Sequence, residues 1–279
     1  MLGVVCIKRV VDYAVKIRVS RNKEYVDLNN VKMAMNPFCE IAVEEGIKLK
    51  ERCILKNLLV VTVGDDRSQE TLRQALAMGA DSAVLLKTDL RSDRDLQPLG
   101  VAKLLKFIIL REQAKLALLG KQAIDDDFNQ TGQLLAGLLG WPQATFASKV
   151  SAGISPNSLE IEREIDEGSQ VVEVSLPAVV TCDLRLNEPR YATLPNLMKA
   201  SSSRCFMLLN LFSEIAKLLW LQAKKKPLEI IDVNSLGIDF IARLKTLSVE
   251  EPSRREAGKI THSVEELVER LRNESKLNV

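Results

Sequence analysis

Short, uniformly apolar runs recur along this chain, and segments with helical spacing separate them. The runs cover residues 3–7, 58–63, 83–86, 116–119 and 178–182, and the intervening segments include CEIAVEEGIKLKER and SQETLRQALAMGA. Strands of a parallel sheet are buried on both faces, so they read as continuous apolar runs, and helical crossovers must join them. The sequence therefore predicts an α/β protein with a mostly parallel sheet.

Helix-end residues agree with this alternation. Asn36-Pro37 is placed to open the helix of the first segment, because Pro is favoured at the first helical position. Ser68 is predicted to cap the second helix, and Gly79 to end it.

The pattern changes over residues 151–174, where LEIEREIDEGSQVVEV alternates between apolar and polar residues. This alternation predicts an antiparallel hairpin that turns near residues 167–168 and extends the edge of the sheet. A last helix is predicted over residues 263–274, with Ser263 as its N-cap and Glu266 at the N3 position.

The composition excludes several classes of function. With 39 basic and 37 acidic residues, the net charge of +2 is too small to suggest nucleic acid as the main partner. A single histidine, His262, and five scattered cysteines without a Cys-x-x-Cys pair argue against a zinc site, a disulfide framework and Ser-His-Asp or Cys-His catalysis. Unpaired cysteines are typical of a reducing intracellular compartment. The N-terminal MLGVVCIKRVVDY lacks the features of a secretion signal, so a strand is predicted there.

Ligands of open parallel sheets bind beyond the carboxyl ends of the strands. Three segments follow strands in this way: residues 6–9, 64–65 and 120–131. None of them carries a G-x-G-x-x-G fingerprint or a complete P-loop. The sequence thus predicts where a ligand would bind, but it contains no motif that identifies the ligand.

The segment LLGKQAIDDDFNQTGQ contains three adjacent carboxylates, Asp125, Asp126 and Asp127. A helix that begins near Asn129 would offer free backbone N–H groups to an anion, whereas carboxylates at the same end would stabilise the helix dipole. The spacing alone favours solvated capping carboxylates over a ligand site. A divalent metal is disfavoured, because consecutive side chains of an extended chain diverge.

Six blocks of the sequence, in order, carry a resemblance: KRVVDYAVKIRV, MNPFCEIAVEE, ALAMGAD, LLGKQAIDDDFNQTGQ, WPQATFAS and DLRLNEPRYATLPNLMKA. Together they closely resemble the β subunits of electron transfer flavoproteins of the mitochondrial type. The resemblance covers nearly the whole chain except residues 201–222.

The resemblance implies a doubly wound, mostly parallel sheet of the adenine-nucleotide-binding type, with a C-terminal extended arm. Residues 1–183 would form the nucleotide-binding domain, and residues 184–279 the partner-recognition loop, the insertion and the arm. The family is an electron carrier, not an enzyme in the narrow sense. It pairs with an α subunit that holds most of the FAD, while the β subunit holds a structural AMP.

The implied electron donors are acyl-CoA and related dehydrogenases, the implied acceptor is a membrane ubiquinone oxidoreductase, and the implied location is the mitochondrial matrix. The alternative is a stand-alone AMP- or ATP-binding protein of the same fold without a flavin partner. The block NEPRYATLPNLMKA argues against that alternative, because a stand-alone binder does not need it.

The resemblance also assigns residues. The AMP site would comprise Cys6, Asn36, Pro37, Phe38, Cys39, Val63, Gly120, Lys121, Gln122, Ala123, Ile124, Asp125, Asp126, Asp127, Phe128, Asn129, Gln130 and Thr131. The phosphate would lie near the N–H groups of residues 129–131, and the aspartates would fix the loop and the sugar end. Tyr13 and Phe38 match positions that approach the flavin edge. From the residues alone, a packed core is the default for Phe38 over stacking on a flat ligand, and the same two alternatives are open for Tyr13, an amphipathic residue in a loop after the first strand.

Four further positions are implied by resemblance. Leu194 matches the anchor of the loop that docks into dehydrogenases, Lys199 and Lys225 fall near methylated lysines, and Glu164 matches a carboxylate that helps to orient the flavin-bearing partner. Two residues depart from the family pattern. Phe128 stands where relatives usually have Cys, and Val63 stands where they often have a small residue or Cys.

Residues 201–222 form an apolar-rich, helix-prone stretch that four polar residues interrupt, so it is not expected to span a membrane. A packed helix or poorly ordered insertion is favoured over an amphipathic helix for a partner or a membrane surface. Removing the stretch rejoins NLMKA to KKKPLEII, as in the family. We interpret it as a translated intron or an isoform-specific insert that impairs docking of the partner.

Overall fold

The computed structural model describes residues 1–91, 94–191, 226–253, 258 and 260–275. Leu194, Lys199, Lys225 and the insertion at 201–222 lie outside these residues, so the predictions made for them stay predictions.

All five predicted parallel strands are confirmed within one nine-stranded sheet. The strands of the chain are β1 (Leu2–Ile7), β2 (Arg9–Val11), β3 (Met33–Met35), β4 (Asn57–Gly64), β5 (Ser82–Lys87), β6 (Leu116–Gly120), β7 (Gln143–Ala152), β8 (Ser158–Ile165), β9 (Gly168–Ser175), β10 (Ala178–Cys182) and β11 (Leu228–Asp232). The described helices are α1 (Pro37–Glu51), α2 (Gln69–Met78), α3 (Pro98–Arg111), α4 (Thr131–Leu139) and α5 (Val264–Ser275). None of these helices is long and apolar enough to cross a membrane.

The sheet has the order β11-β5-β4-β1-β6-β10-β7-β8-β9, and β2 and β3 form a separate antiparallel ribbon. From β11 to β7 every pair is parallel. From β1 the chain moves outward through β4 and β5, and it then returns to place β6 on the other side of β1. The order therefore reverses between β1 and β6, which is the switch point where doubly wound folds bind ligands.

Alternate residues of the central strands are buried against opposite faces of the sheet. On one face Val5 and Val60 pack with side chains of α1 and α2. On the other face Val4 and Val61 pack with side chains of α3 and α4. Helices on both faces explain the continuous apolar runs and confirm the doubly wound α/β fold.

The antiparallel hairpin is also confirmed. β8 and β9 pair along their whole length, and β9 is the edge strand. The turn consists of residues 166–167, one position before the predicted place, and Gly168 begins β9 with a φ of 140°. β7, which the sequence analysis did not identify, joins the hairpin to the parallel part, because it pairs parallel with β10 and antiparallel with β8.

The predicted helix ends are mostly correct. Gly79 follows α2 with a φ of 150°, and the Glu266 N–H donates to Ser263 Oγ (3.1 Å) at the start of α5. Ser68 occupies the N-cap position of α2, as predicted, but its side chain makes no cap bond there. A 3₁₀ turn precedes α2, and Asp65 caps that turn by accepting from both the N–H (3.2 Å) and the hydroxyl (3.0 Å) of Ser68.

Candidate functional site

A cavity lies at the switch point, beyond the carboxyl ends of β1, β4 and β6; we call it the sheet-end cavity. Thirteen of its lining residues belong to the predicted AMP set: Cys6, Asn36, Cys39, Val63, Gly120, Lys121, Gln122, Ala123, Asp126, Phe128, Asn129, Gln130 and Thr131. These residues come from four separate segments of the sequence. Their convergence on one cavity shows that the topology brings the predicted residues together.

Seven further residues line the sheet-end cavity outside the predicted AMP set: Ile7, Lys8, Leu96, Pro98, Val101, Leu105 and Leu119. Four of them belong to α3 or directly precede it, and they form an apolar wall opposite the polar loop that follows β6. At helical spacing, apolar residues of a cavity wall look like ordinary core residues. Ile7 and Lys8, by contrast, belong to the segment 6–9 that was predicted to lie beyond the end of a strand.

The first turn of α4 faces the sheet-end cavity. The sequence predicted a helix start near Asn129, but α4 begins at Thr131, because Asn129 has a left-handed φ of 50°. The first helical bond runs from Leu134 N–H to the Gln130 carbonyl, so the N–H groups of the preceding residues have no helical acceptor. These groups, with the helix dipole, favour an anion at this end.

Gly132 sets how closely α4 approaches the sheet. A Cβ at this position would lie 2.4 Å from Cγ2 of Thr181 in β10. Gly120 has a similar role at the end of β6, where a Cβ would lie 2.8 Å from the carbonyl carbon of Phe38. Both glycines are needed because a backbone and a neighbouring element come into contact there.

Asp125 and Asp126 are not solvated helix caps, so the interpretation from spacing alone is wrong for them, whereas Asp127 is exposed. Lys8 Nζ lies 2.8 Å from Asp125 and 2.7 Å from Asp126, whose side chains are 13% and 20% exposed. Asp127 accepts from the Gln122 amide (3.0 Å). The carboxylates therefore fix the loop that follows β6.

Burial and ion pairing shift the pKa values of this cluster in opposite directions. Burial raises the pKa of Asp125, and the charge and hydrogen bond of Lys8 lower it without offsetting burial completely. For Lys8, burial alone would lower the pKa, but the two carboxylates outweigh it and raise the pKa. The ammonium is thus retained as the counter-charge of the loop.

Asn36 holds the same loop from the opposite side. Its side-chain amide donates to the Gln122 carbonyl (2.8 Å), and its oxygen accepts from the Ile124 N–H (3.2 Å). Asn36 is 1% exposed and makes no cap bond to α1, so its side chain serves the loop. The amide also donates to the Cys39 sulfur (3.3 Å).

Burial disfavours the thiolate form of the two cysteines in the sheet-end cavity. Burial raises the pKa of Cys39 despite the hydrogen bonds that its sulfur accepts, and burial also raises the pKa of Cys6. Both side chains line the sheet-end cavity as neutral, weakly polar surface.

The two positions predicted to approach a flavin lie in different surroundings. Tyr13 is 83% exposed and lines a second cavity beside the β2–β3 ribbon, which we call the ribbon cavity. Phe38 is 6% exposed and lines neither cavity. Lys121 Nζ lies 5.5 Å from the centre of the Phe38 ring and 2.6 Å from Asp183. Pro37 and Asp127 also lie outside the lining of both cavities, whereas Ile124 and Asp125 line the ribbon cavity.

Glu164 lies on the hairpin and pairs with a cation of its own chain. Arg185 lies 2.9 Å from Glu164, whose side chain is 30% exposed. A partner that uses this carboxylate would compete with Arg185, whose side chain is 74% exposed and can move aside.

The sheet-end cavity combines groups that fit a nucleoside monophosphate. The free N–H groups of α4 suit a phosphate, the amides and carboxylates of the loop suit a sugar, and the wall from α3 suits an apolar, flat base. The cavity lacks a histidine or an unpaired carboxylate placed for acid–base catalysis among the residues that line it. The arrangement is suited to binding.

Comparison with known proteins identifies the family of the chain. The electron transfer flavoprotein domain matches residues 26–204. The chain is 48% identical over 273 residues to the mitochondrial electron transfer flavoprotein subunit beta of Oryza sativa subsp. japonica, covering 98% of each chain. It is 50% identical to the subunit beta of Dictyostelium discoideum, covering 95% of each chain, and 47% identical to that of Homo sapiens, covering 96% of this chain and 95% of the human one. The chain belongs to the β subunits of the electron transfer flavoprotein family.

Proposed function

We propose that this chain is the nucleotide-binding half of an electron-carrying heterodimer. Family membership gives it an electron-transfer role and an α-subunit partner. In the proposal, the sheet-end cavity holds AMP with its phosphate at the first turn of α4, and the α subunit holds most of the FAD. The observation that supports it best is that thirteen residues of the predicted AMP set, from four segments of the sequence, line one cavity at the switch point.

The AMP has a structural role in this proposal. Its phosphate would accept from the free N–H groups that begin at Thr131, and the loop of residues 122–127 would hold the sugar end. The flavin supplies the redox chemistry when bound. This chain's contribution is to cover part of the flavin edge, with Tyr13 as the exposed aromatic side chain available for it.

An exposed apolar stripe supports the assignment of a protein partner. Val264, Leu267, Val268 and Leu271 follow the i, i+3, i+4, i+7 spacing of one helix face on α5, and they are 71%, 44%, 41% and 42% exposed. A helix of this kind is stabilised when its apolar stripe packs on another surface. We assign that surface to the α subunit.

The remaining assignments rest on the resemblance. They are acyl-CoA and related dehydrogenases as donors, docked through Leu194, a membrane ubiquinone oxidoreductase as acceptor, and the mitochondrial matrix as location. Lys199 and Lys225 are proposed methylation positions. A mitochondrial location is consistent with the name of the rice relative, a mitochondrial subunit beta.

The test is co-expression of the chain with a matching α subunit, with and without residues 201–222. We expect a yellow heterodimer that releases both FAD and AMP on denaturation. Faster reduction by an acyl-CoA dehydrogenase without residues 201–222 would support the proposed effect of the insertion. A colourless chain that purifies alone with AMP or ATP in both forms would contradict the proposal and favour the stand-alone nucleotide binder.

A further inference from the structure

One loop separates the sheet-end cavity from the ribbon cavity. Gln122, Ala123 and Asp126 line the sheet-end cavity, whereas Ile124 and Asp125 line the ribbon cavity. The side chains of adjacent residues therefore face different cavities, and the wall between the cavities is a single stretch of chain. We call residues 122–126 the partition loop.

The partition loop is held by two residues at the base of the β2–β3 ribbon. Lys8 directly precedes β2 and pairs with Asp125 and Asp126. Asn36 directly follows β3 and bonds to the backbone on both sides of Ala123. The backbones of the two anchoring residues are joined as well, because the Asn36 N–H donates to the Lys8 carbonyl (3.0 Å).

The same ribbon supplies one side of the ribbon cavity. Val11 of β2 and Met33 of β3 line it, and so does Tyr13, two residues beyond β2. The Asp12 N–H donates to the Lys32 carbonyl (3.0 Å), which extends the ribbon past its last strand pair. A shift of Lys8 or Asn36 would therefore be transmitted to Tyr13 through a short, hydrogen-bonded ribbon.

We propose that the partition loop couples the two cavities, so that a nucleoside monophosphate in the sheet-end cavity positions the ribbon and Tyr13 on the far side. The ligand would contact Gln122, Ala123 and Asp126 and restrict the loop. Asp125 and Lys8 would pass that restriction to the ribbon. Lys8 and Asp125 are positioning residues in this scheme, since they act through the ribbon and not on a reacting atom.

This coupling rests on the proposed function, and it gives the structural AMP a specific effect. The ribbon cavity carries the exposed aromatic side chain assigned to the flavin edge. A nucleotide that fixes the ribbon would therefore prepare the surface that the α subunit and its flavin cover. The size of such a coupling can be measured. A ligand at one site changes the binding free energy at the other site by the same amount as in the reverse direction.

The test is hydrogen exchange of the full-length chain with and without saturating AMP, read separately for the partition loop and for the ribbon. We expect AMP to slow exchange of both regions in the wild type, by about tenfold for the ribbon. Asp125→Ala removes the side of the ion cluster that faces the ribbon cavity and leaves the Lys8–Asp126 pair. At AMP concentrations that saturate each protein, this variant should still show slower exchange in the partition loop but should lose most of the ribbon response.

Lys32→Met is the matched control, because Lys32 pairs with Asp12 (2.7 Å) at the ribbon and has no contact with the partition loop in the described contacts. This variant should keep the wild-type ribbon response. If AMP slows the ribbon equally in wild type and Asp125→Ala, or does not slow it in the wild type, the coupling is refuted while the AMP site stands. If Lys32→Met loses the response as fully as Asp125→Ala, the effect is not carried by the partition loop. Failure of the wild type to bind AMP would instead refute the proposed function.

Discussion

Arg190 forms a two-point ion pair with Glu44, a carboxylate that is almost completely buried in α1. The Nε and one terminal nitrogen of Arg190 lie 2.8 Å and 2.9 Å from the two carboxylate oxygens, and the side chain of Glu44 is 3% exposed. Arg190 also reaches Glu51 (2.7 Å), seven residues further along α1, and the hydrogen bonds with Glu51 and Glu44 raise its pKa. The chain is thereby fixed to α1 just before residue 192.

Replacing Arg190 with Met is expected to destabilise the protein by about 2 kcal/mol, because a buried carboxylate loses its only ion-pair partner among the described residues. Urea unfolding of the purified chain measures this. The control is Lys23→Met, which breaks the Lys23–Glu250 pair, whose side chains are 63% and 66% exposed. The control should cost less than about 1 kcal/mol. Equal losses in the two variants would show that burial of Glu44 does not matter.

Gly132→Ala is expected to destabilise the protein and weaken AMP binding. The new Cβ would lie 2.4 Å from Thr181 Cγ2, so α4 must move away from β10, at a cost of about 1–3 kcal/mol. Gly137→Ala in the same helix is a matched control, because nothing lies within 4 Å of its Cβ position. Alanine is the better helix former, so the control should be stabilised by about 0.5–1 kcal/mol.

Thermal unfolding and AMP titration of both glycine variants test this prediction. We expect opposite shifts of the melting temperature, with weaker AMP binding in Gly132→Ala alone. Equal AMP affinities in the two variants would mean that the position of the first turn of α4 does not control the site.

The sequence predicted the parallel sheet because its strands are buried on both faces, and burial of that kind leaves a continuous apolar run. It did not predict the β2–β3 ribbon, because three-residue strands are too short to show alternation. The bonds of Asn36 could not be predicted either. Its position before a Pro indicated a helix start correctly, but its side chain bonds across 86 and 88 residues to the partition loop. Such long-range partners are set by topology and leave no local pattern.

Glu45 gives a pH dependence of stability with a defined sign. It is 3% exposed, and burial raises its pKa above the ordinary value of 4.5, although a hydrogen bond from Asn187 partly opposes the shift. Above pH 4.5 the unfolded chain releases this proton before the native protein does. The native state then binds more protons, so the contribution of Glu45 to stability falls as the pH rises through this window.

Glu45→Gln removes the buried charge and keeps an oxygen that can accept from Asn187 (3.0 Å in the wild type). The variant should be more stable than the wild type at neutral pH, and the difference should disappear below pH 4.5. Urea unfolding between pH 4 and pH 8 measures it. Glu51→Gln is the control with the opposite sign, because its hydrogen bond with Arg190 lowers the pKa of Glu51. A Glu45→Gln effect that does not vary with pH would contradict this account.

Phe128 is expected to slow the release of AMP. Its side chain is 46% exposed at the mouth of the sheet-end cavity, and residues Asp127 and Asn129 on either side have left-handed φ values of 49° and 50°. The Phe128 N–H also donates to Asp126 (3.3 Å), so the ring is held at the rim by a fixed turn. A bound nucleotide would cover part of the ring, and removing an aromatic contact of this kind costs about 1 kcal/mol, or roughly five- to tenfold in release rate.

Phe128→Ala should therefore release AMP about five- to tenfold faster than the wild type, with little change in the free energy of unfolding of the AMP-free chain, since the ring is already half exposed. Release is measured by chasing labelled AMP with an excess of unlabelled AMP. Tyr191→Ala is the control, because Tyr191 is 95% exposed and does not line the sheet-end cavity. The control should release AMP at the wild-type rate. An unchanged rate in Phe128→Ala would show that the ring points away from the bound nucleotide.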